Sequence, residues 1–203
     1  MPAPARLVVL ISGNGSNLQA VLDACESGEL VATVVAVISN KGNAQGLTRA
    51  RDAGIEAIFL AKEKNETRRA YDVRLAEYIS AKQPDYIILA GWMHLLSNDF
   101  LSLFPNRVIN LHPALPGMFP GTHAIQRAFN AFQRGEIDHT GVMVHLVPDE
   151  GVDNGPVLGT EIVAIHKEDT LELLESHIHQ TEHRLLVSTL QKVISQNTHQ
   201  RSP

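Results

Sequence analysis

The 203-residue sequence predicts an α/β protein built on a doubly wound, mostly parallel sheet, with an antiparallel C-terminal portion and a long closing helix. Three observations carry this. Short apolar, β-branched runs alternate with longer stretches of helical period, the pattern of βαβ units. A glycine loop joins the first apolar run to the first helical stretch. The composition, 44% hydrophobic and 19% charged, is that of an ordinary globular domain, and 203 residues suit one such domain.

Each element follows from its local pattern. Arg6 to Ser12 reads as a strand, Gly13 to Asn17 as a loop, and Leu18, Val21, Leu22 and Cys25 as one face of a helix that Gly28 ends. Val31 to Ser39 is a second strand, Ala44 to Ala53 a helix closed by Gly54, and Ala57 to Leu60 a third strand. After the charged loop Lys62 to Glu66, a helix over Thr67 to Lys82 carries Tyr71, Leu75, Tyr78 and Ile79 on one face, and Pro84 stops it. Tyr86 to Ala90 is a buried strand, Leu96 to Phe104 a short helix, and Arg107 to His112 a strand entering a loop rich in proline and glycine. Ala124 to Arg134 is helical, and Gly141 to Val147 alternates as a strand read as antiparallel. Pro156 to Ile165 is another strand. Thr170 to Val193 is a long helix opened by Asp169 with Glu172 in capping-box spacing. The expected organisation is one domain over residues 1–195, with an N-terminal half to about 105 and a C-terminal half beyond it. A polar, frayed tail is expected over 196–203.

Seventeen Lys plus Arg against 22 Asp plus Glu give a net charge of −5, which offers no general field for nucleic acid. The lone cysteine, Cys25, excludes an internal disulfide. Five apolar residues, Leu7 to Ile11, are too few for a signal peptide, and no run approaches a membrane span, so a cytoplasmic location is expected. The absence of a heptad repeat excludes a coiled-coil dimer and leaves a monomer or weak homodimer.

Ser12-Gly13-Asn14-Gly15-Ser16-Asn17 sits where a strand meets a helix N-terminus, a place whose free N–H groups favour an anion. It matches neither the dinucleotide glycine fingerprint nor a P-loop, so a single phosphate fits better; as a plain turn it would use Ser16 or Asn17 as cap. Asn110 and His112, two apart at a strand end, face the same side at the carboxyl edge of the sheet, where such folds bind ligands. The amide can donate to an oxyanion and the imidazole can hold a proton. Asp149, beyond the next strand, is the carboxylate expected beside His112; Asp153 reads as a turn residue and Glu150 as solvated surface. His177, His179 and His183 lack the spacing of a metal site, so no metal is expected. Trp92 reads as core and His145 as a sheet residue.

From Leu7 to about Leu186 the sequence resembles the folate-dependent phosphoribosylglycinamide formyltransferases. The motifs are Leu10 to Gln19, Ala90-Gly91-Trp92-Met93, Asn110-Leu111-His112-Pro113 and Val144 to Glu150, in that order. The resemblance implies a Rossmann-like formyltransferase fold and transfer of a formyl group from 10-formyltetrahydrofolate to the amine of glycinamide ribonucleotide, both small molecules. It implies Asn110, His112 and Asp149 as the catalytic set, and Gly15, Ser16, Asn17 and Glu182 against the ribonucleotide. Against the formyl-folate it implies Arg68, Met93, His94, Leu95, Leu96, Val144, His145, Leu146, Val147 and Pro148. His94 stands where many members have Arg, Ala114 to Gly117 depart from the family loop, and His179 takes a position where relatives carry glutamine. The alternatives are a formyltetrahydrofolate hydrolase, a methionyl-tRNA formyltransferase, whose extra domains 203 residues cannot hold, and a non-catalytic sugar-phosphate sensor.

Overall fold

The computed structural model describes residues 3–200, with side-chain surroundings to residue 196. In chain order the elements are β1 (Ala5–Ile11), α1 (Ser16–Glu26), β2 (Ala32–Ser39), α2 (Gln45–Asp52), β3 (Ala57–Phe59), α3 (Arg68–Ala81) and β4 (Tyr86–Leu89). Then come α4 (Asn98–Leu101), β5 (Val108–His112), α5 (Ala124–Gln133), β6 (His139–Leu146), β7 (Val157–Ala164) and α6 (Leu171–Gln200). The seven strands form one sheet in the order β3-β2-β1-β4-β5-β6-β7. Its first five strands pair in parallel; β6 lies antiparallel to β5 and β7 antiparallel to β6. The direction of winding reverses between β1 and β4, so the loops leaving these strands part and open a crevice.

Alternation along β1 divides the core. Leu7, Val9 and Ile11 face a layer that includes Leu18 and Val21 of α1 and Leu186 and Leu190 of α6. Val8 and Leu10 face Tyr71, Leu75 and Ile79 of α3 together with Trp92 and Phe100. Burial on both faces is why the parallel strands read as continuous apolar runs rather than alternating ones. Trp92 belongs to this core, as expected. Among the described residues no helix is long and apolar enough to cross a membrane.

Three helix ends differ from expectation. The short helix begins only at Asn98, because the Ser97 N–H is taken at 2.6 Å by the buried carboxylate of Asp72, which holds Leu96 and Ser97 in extended entry. The cap of α6 is Thr170, whose hydroxyl accepts the Leu173 N–H at 3.3 Å. Asp169 instead turns back to accept the His166 N–H at 2.8 Å. Helix α6 continues to Gln200, through most of the segment read as a polar tail; residues 201–203 lie outside the described part.

Candidate active site

The carboxyl ends of β1, β4 and β5 carry the loops of the site. At the end of β1, Gly15 takes a left-handed φ of 78° and is the N-cap of α1, with no side chain capping the helix. Ser16 and Asn17 are therefore the first helical residues and not caps, and the helix start is left able to receive an anion. Gly15 packs on Gly46 of α2 so closely that a Cβ would stand 2.7 Å from the Gly46 Cα. Arg49 braces the loop, donating through Nε to the Asn14 carbonyl at 3.0 Å and through Nη2 to Asn14 Oδ1 at 3.1 Å. On the far side, Asn17 Nδ2 donates to the buried Glu182 of α6 at 3.3 Å, and Glu182 is 2.7 Å from His179 Nδ1.

This packing makes Gly15→Ala costly. Left-handed backbone and overpacking against Gly46 together predict a loss of about 2–4 kcal/mol in a denaturant titration. At Gly28, with the same φ but open space around it, the corresponding change costs only the backbone share, about 1–2 kcal/mol. Equal losses at the two positions would contradict the packing argument.

The loop after β4 borders the glycine loop. Ser12 Oγ accepts the Met93 N–H at 2.9 Å, and the Ser12 N–H donates to the Gly91 carbonyl at 3.0 Å. Met93, His94, Leu95 and Leu96 line a cavity of about 600 Å³ with Leu89, Trp92 and Val152 among its walls, and Asn110, His112, His145 and Asp153 also line it. Arg68 pairs with Glu150 across the edge of this cavity, and Glu150 also accepts the Asn98 N–H at 2.9 Å. Glu150 is thus a clasp between α3, α4 and the loop after β6, and not the free surface group expected.

Strand alternation corrects the expected lining from β6. His145 and Val147 reach the cavity, but Val144 and Leu146 point to the opposite face, where Val144 is fully buried in the core and Leu146 packs against it. Pro148 is not among the lining residues.

The chemistry-bearing cluster is set by the register of β5 against β6. Asn110 lies directly opposite His145, and His112 is two residues on along the same face. Asn110 Nδ2 is 3.1 Å from His145 Nε2 and donates to Asp153 Oδ1 at 3.0 Å. His145 Nδ1 faces the Leu146 carbonyl at 2.8 Å and so carries the proton, leaving Nε2 to accept from Asn110. His112 Nδ1 is 3.3 Å from Asp153 Oδ2, which also accepts the Gly121 N–H at 2.7 Å.

The carboxylate beside His112 is therefore Asp153, not Asp149. Asp149 Oδ1 accepts the Gly151 N–H at 2.8 Å, an Asx turn that sends the chain back toward β6. Gly155 then runs so near β6 that a Cβ would stand 1.9 Å from the Leu146 carbonyl oxygen. This return lays Asp153, at a left-handed φ of 52°, over Asn110 and His112. The signal in the sequence was the Asp ahead of Asn154-Gly155, a pair that makes a turn without its help.

Burial pulls the His112 pKa below its ordinary value, against the attraction of Asp153 and the Phe119 carbonyl. For Asp153, burial would raise the carboxyl, but the neighbouring His145, the Gly121 N–H and the nearby His112 hold it below its usual range. His94 and His183 are also lowered by burial, opposed by Asp72 and Glu182 respectively. An imidazole with a folded value below the unfolded 6.5 takes up its proton later than the unfolded chain does as pH falls. Stability therefore drops as pH descends from 6.5 through these lowered values. His179, raised by its hydrogen bond to Glu182, works in the opposite sense, its contribution full below 6.5 and lost as pH rises through its raised value. Three against one predicts a lower urea midpoint at pH 5.5 than at pH 7.5, and an equal or higher midpoint at pH 5.5 would contradict it. Among the described residues no group of three or more His, Cys, Asp or Glu side chains is placed to hold a metal ion.

A winding reversal with a phosphate-suited glycine loop, beside a cavity holding an amide, an imidazole and a carboxylate, defines a group-transfer site. The family model described as formyl transferase matches residues 5–190, and the chain belongs to that family. Two similar relatives carry the name phosphoribosylglycinamide formyltransferase. That of Dictyostelium discoideum is 47% identical, over 91% of this chain and 95% of its own, and that of Schizosaccharomyces pombe is 48% identical, over 95% and 99%. The crystal structure of phosphoribosylglycinamide formyltransferase from Bacillus halodurans superposes with a TM-score of 0.88 at 36% identity, covering 94% of this chain and 95% of that one.

Proposed function

We propose that this chain transfers the formyl group of 10-formyltetrahydrofolate to the amine of glycinamide ribonucleotide, giving formylglycinamide ribonucleotide and tetrahydrofolate in purine biosynthesis. The observation that carries the reading is the cluster of Asn110, His112 and Asp153 at a cavity adjoining the start of α1. The two substrates have distinct places. The substrate phosphate is held by the loop Gly15, Ser16 and Asn17, with Arg49 beside it and Glu182 across it. The flat face of the folate's pyrimidine ring suits the apolar walls formed by Leu89, Trp92, Met93 and Leu96. Arg68 is placed to exchange Glu150 for an acidic group on the ligand.

The amine nitrogen attacks the formyl carbon, and the carbonyl electron pair moves onto oxygen. Asn110 gives that oxygen one of the amide hydrogens it otherwise shares between His145 and Asp153, which stabilises the oxyanion. The Phe119 carbonyl, 3.1 Å from His112 Nε2, and the Asp153 carboxylate beside Nδ1 are both acceptors, so both ring N–H groups find partners in the imidazolium that forms when the ring takes the amine proton. Asp153 stabilises the imidazolium formed when the amine proton arrives. That proton then passes to the folate nitrogen as its bond to the formyl carbon breaks. No covalent link to the protein is needed.

The test is absorbance-monitored loss of formyl-folate with and without glycinamide ribonucleotide. Loss that depends on the ribonucleotide is the expected result. Equal loss without it would instead indicate a hydrolase, and binding without any loss would indicate a sensor.

A further inference from the structure

The imidazole of His112 is held from one side by Asp153, in the loop after β6, and from the other by the loop of residues 113–123. Asp153 reaches Nδ1 and grips the loop at the Gly121 N–H, while the Phe119 carbonyl reaches Nε2 at 3.1 Å. That carbonyl comes from an unfavourable place. Phe119 has a φ of 45°, a left-handed conformation that costs a non-glycine residue about 1–2 kcal/mol. Pro113, Pro116 and Pro120 remove three backbone donors from the stretch. A peptide in this state needs support from outside the loop to present its oxygen at a fixed point.

Arg127, in the first turn of α5, supplies it. Its Nη2 donates to the Phe119 carbonyl at 2.5 Å and to the Pro120 carbonyl at 2.6 Å. The guanidinium carbon lies 5.9 Å from the centre of the Phe119 ring. The Phe119 oxygen thus accepts from both His112 and Arg127, as a carbonyl with two lone pairs can. Arg127 Nε is buried with no partner, a cost borne in placing the other end of the group.

We propose that Arg127 is a positioning residue for the imidazole of His112. By clamping the strained Phe119–Pro120 peptide it fixes the oxygen that faces Nε2, and with it the orientation of the ring and the partner of its Nε2 proton. The inference rests on the reading of His112 as the proton-holding group in formyl transfer. Arg127 touches neither substrate in this account, so its loss acts on turnover and not on binding.

Arg127→Ala is expected to lower kcat by about 10- to 100-fold, the usual scale for losing a supporting hydrogen bond or misplacing a reacting group. KM for both substrates stays near the wild-type value. Arg127→Lys recovers only part of kcat, since one ammonium does not reproduce the planar donor set, and added guanidinium partly rescues Arg127→Ala. Ring nitrogen-15 spectra, with the His112 signals assigned by their absence in His112→Asn, should show Nε2 protonated in the wild type. In Arg127→Ala they should show a mixture of protonated and unprotonated Nε2. Wild-type kcat in Arg127→Ala, or unchanged His112 signals in either variant, would overturn the proposal. If Arg127→Ala does not fold, Arg127→Lys carries both readouts. A wild-type protein without transfer would overturn the functional reading instead, and the nitrogen-15 comparison would still decide the role of Arg127.

Discussion

Asparagine in place of Asp153 is expected to lower kcat for formyl transfer by at least about 100-fold, the scale for losing a group that stabilises developing charge. The same change at Asp149 should leave kcat near the wild-type value. Both residues are aspartates in one loop, and the difference lies in what each carboxylate touches. Asp153 accepts from Asn110 and Gly121 and stands 3.3 Å from His112 Nδ1, so it orients the amide, anchors the loop and stabilises the imidazolium at once. An amide there keeps the shape but removes the charge, and it can present N–H toward Nδ1, leaving the ring no stabilisation when it takes a proton. Asp149 spends an oxygen on the Gly151 N–H, a turn contact that asparagine reproduces. Steady-state kinetics on the two variants decide the matter. A large loss at Asp149 with little at Asp153 would reverse the assignment.

The second large effect is at Asn110 and His112. His112→Ala removes the proton-holding group and Asn110→Ala the oxyanion donor. Each is expected to cost about 100- to 1,000-fold in kcat. Because Asn110, His112, His145 and Asp153 share one hydrogen-bonded cluster, the double variant should lose far less than the product of the two single losses. Circular dichroism of each variant should remain that of a folded protein. Near-normal turnover in either single variant, or fully multiplicative losses, would contradict a cluster acting as a unit.

Much of this was legible in the residues. The two-residue period of a strand placed Asn110 and His112 on one face, and the glycine loop between an apolar run and a helical one marked the turn into α1 that Gly15 makes. What escaped depends on contacts distant in sequence. Asp153 reaches His112 only because the Asp149 turn and the close approach of Gly155 to β6 fold the loop back. Its place is a property of that return, while from sequence Asn154-Gly155 looked like a sufficient account of the turn. His145 joined the cluster through the pairing register of β5 and β6, which no pattern within either strand displays. Val144 and Leu146 stand in the same short motif as His145 and Val147, but alternation along β6 turns them to the other face. Arg127 gave no signal, since its role comes from two carbonyls in a strained loop.

The central claim is that the formyl carbon passes directly from the folate to the ribonucleotide amine. A single-turnover reaction with carbon-13 in the formyl group tests it most directly, with the products followed by carbon-13 spectroscopy. The account predicts that the label moves into the amide carbonyl of formylglycinamide ribonucleotide, with no labelled formate and no labelled protein. Label appearing as formate, or retained on the protein, would contradict it.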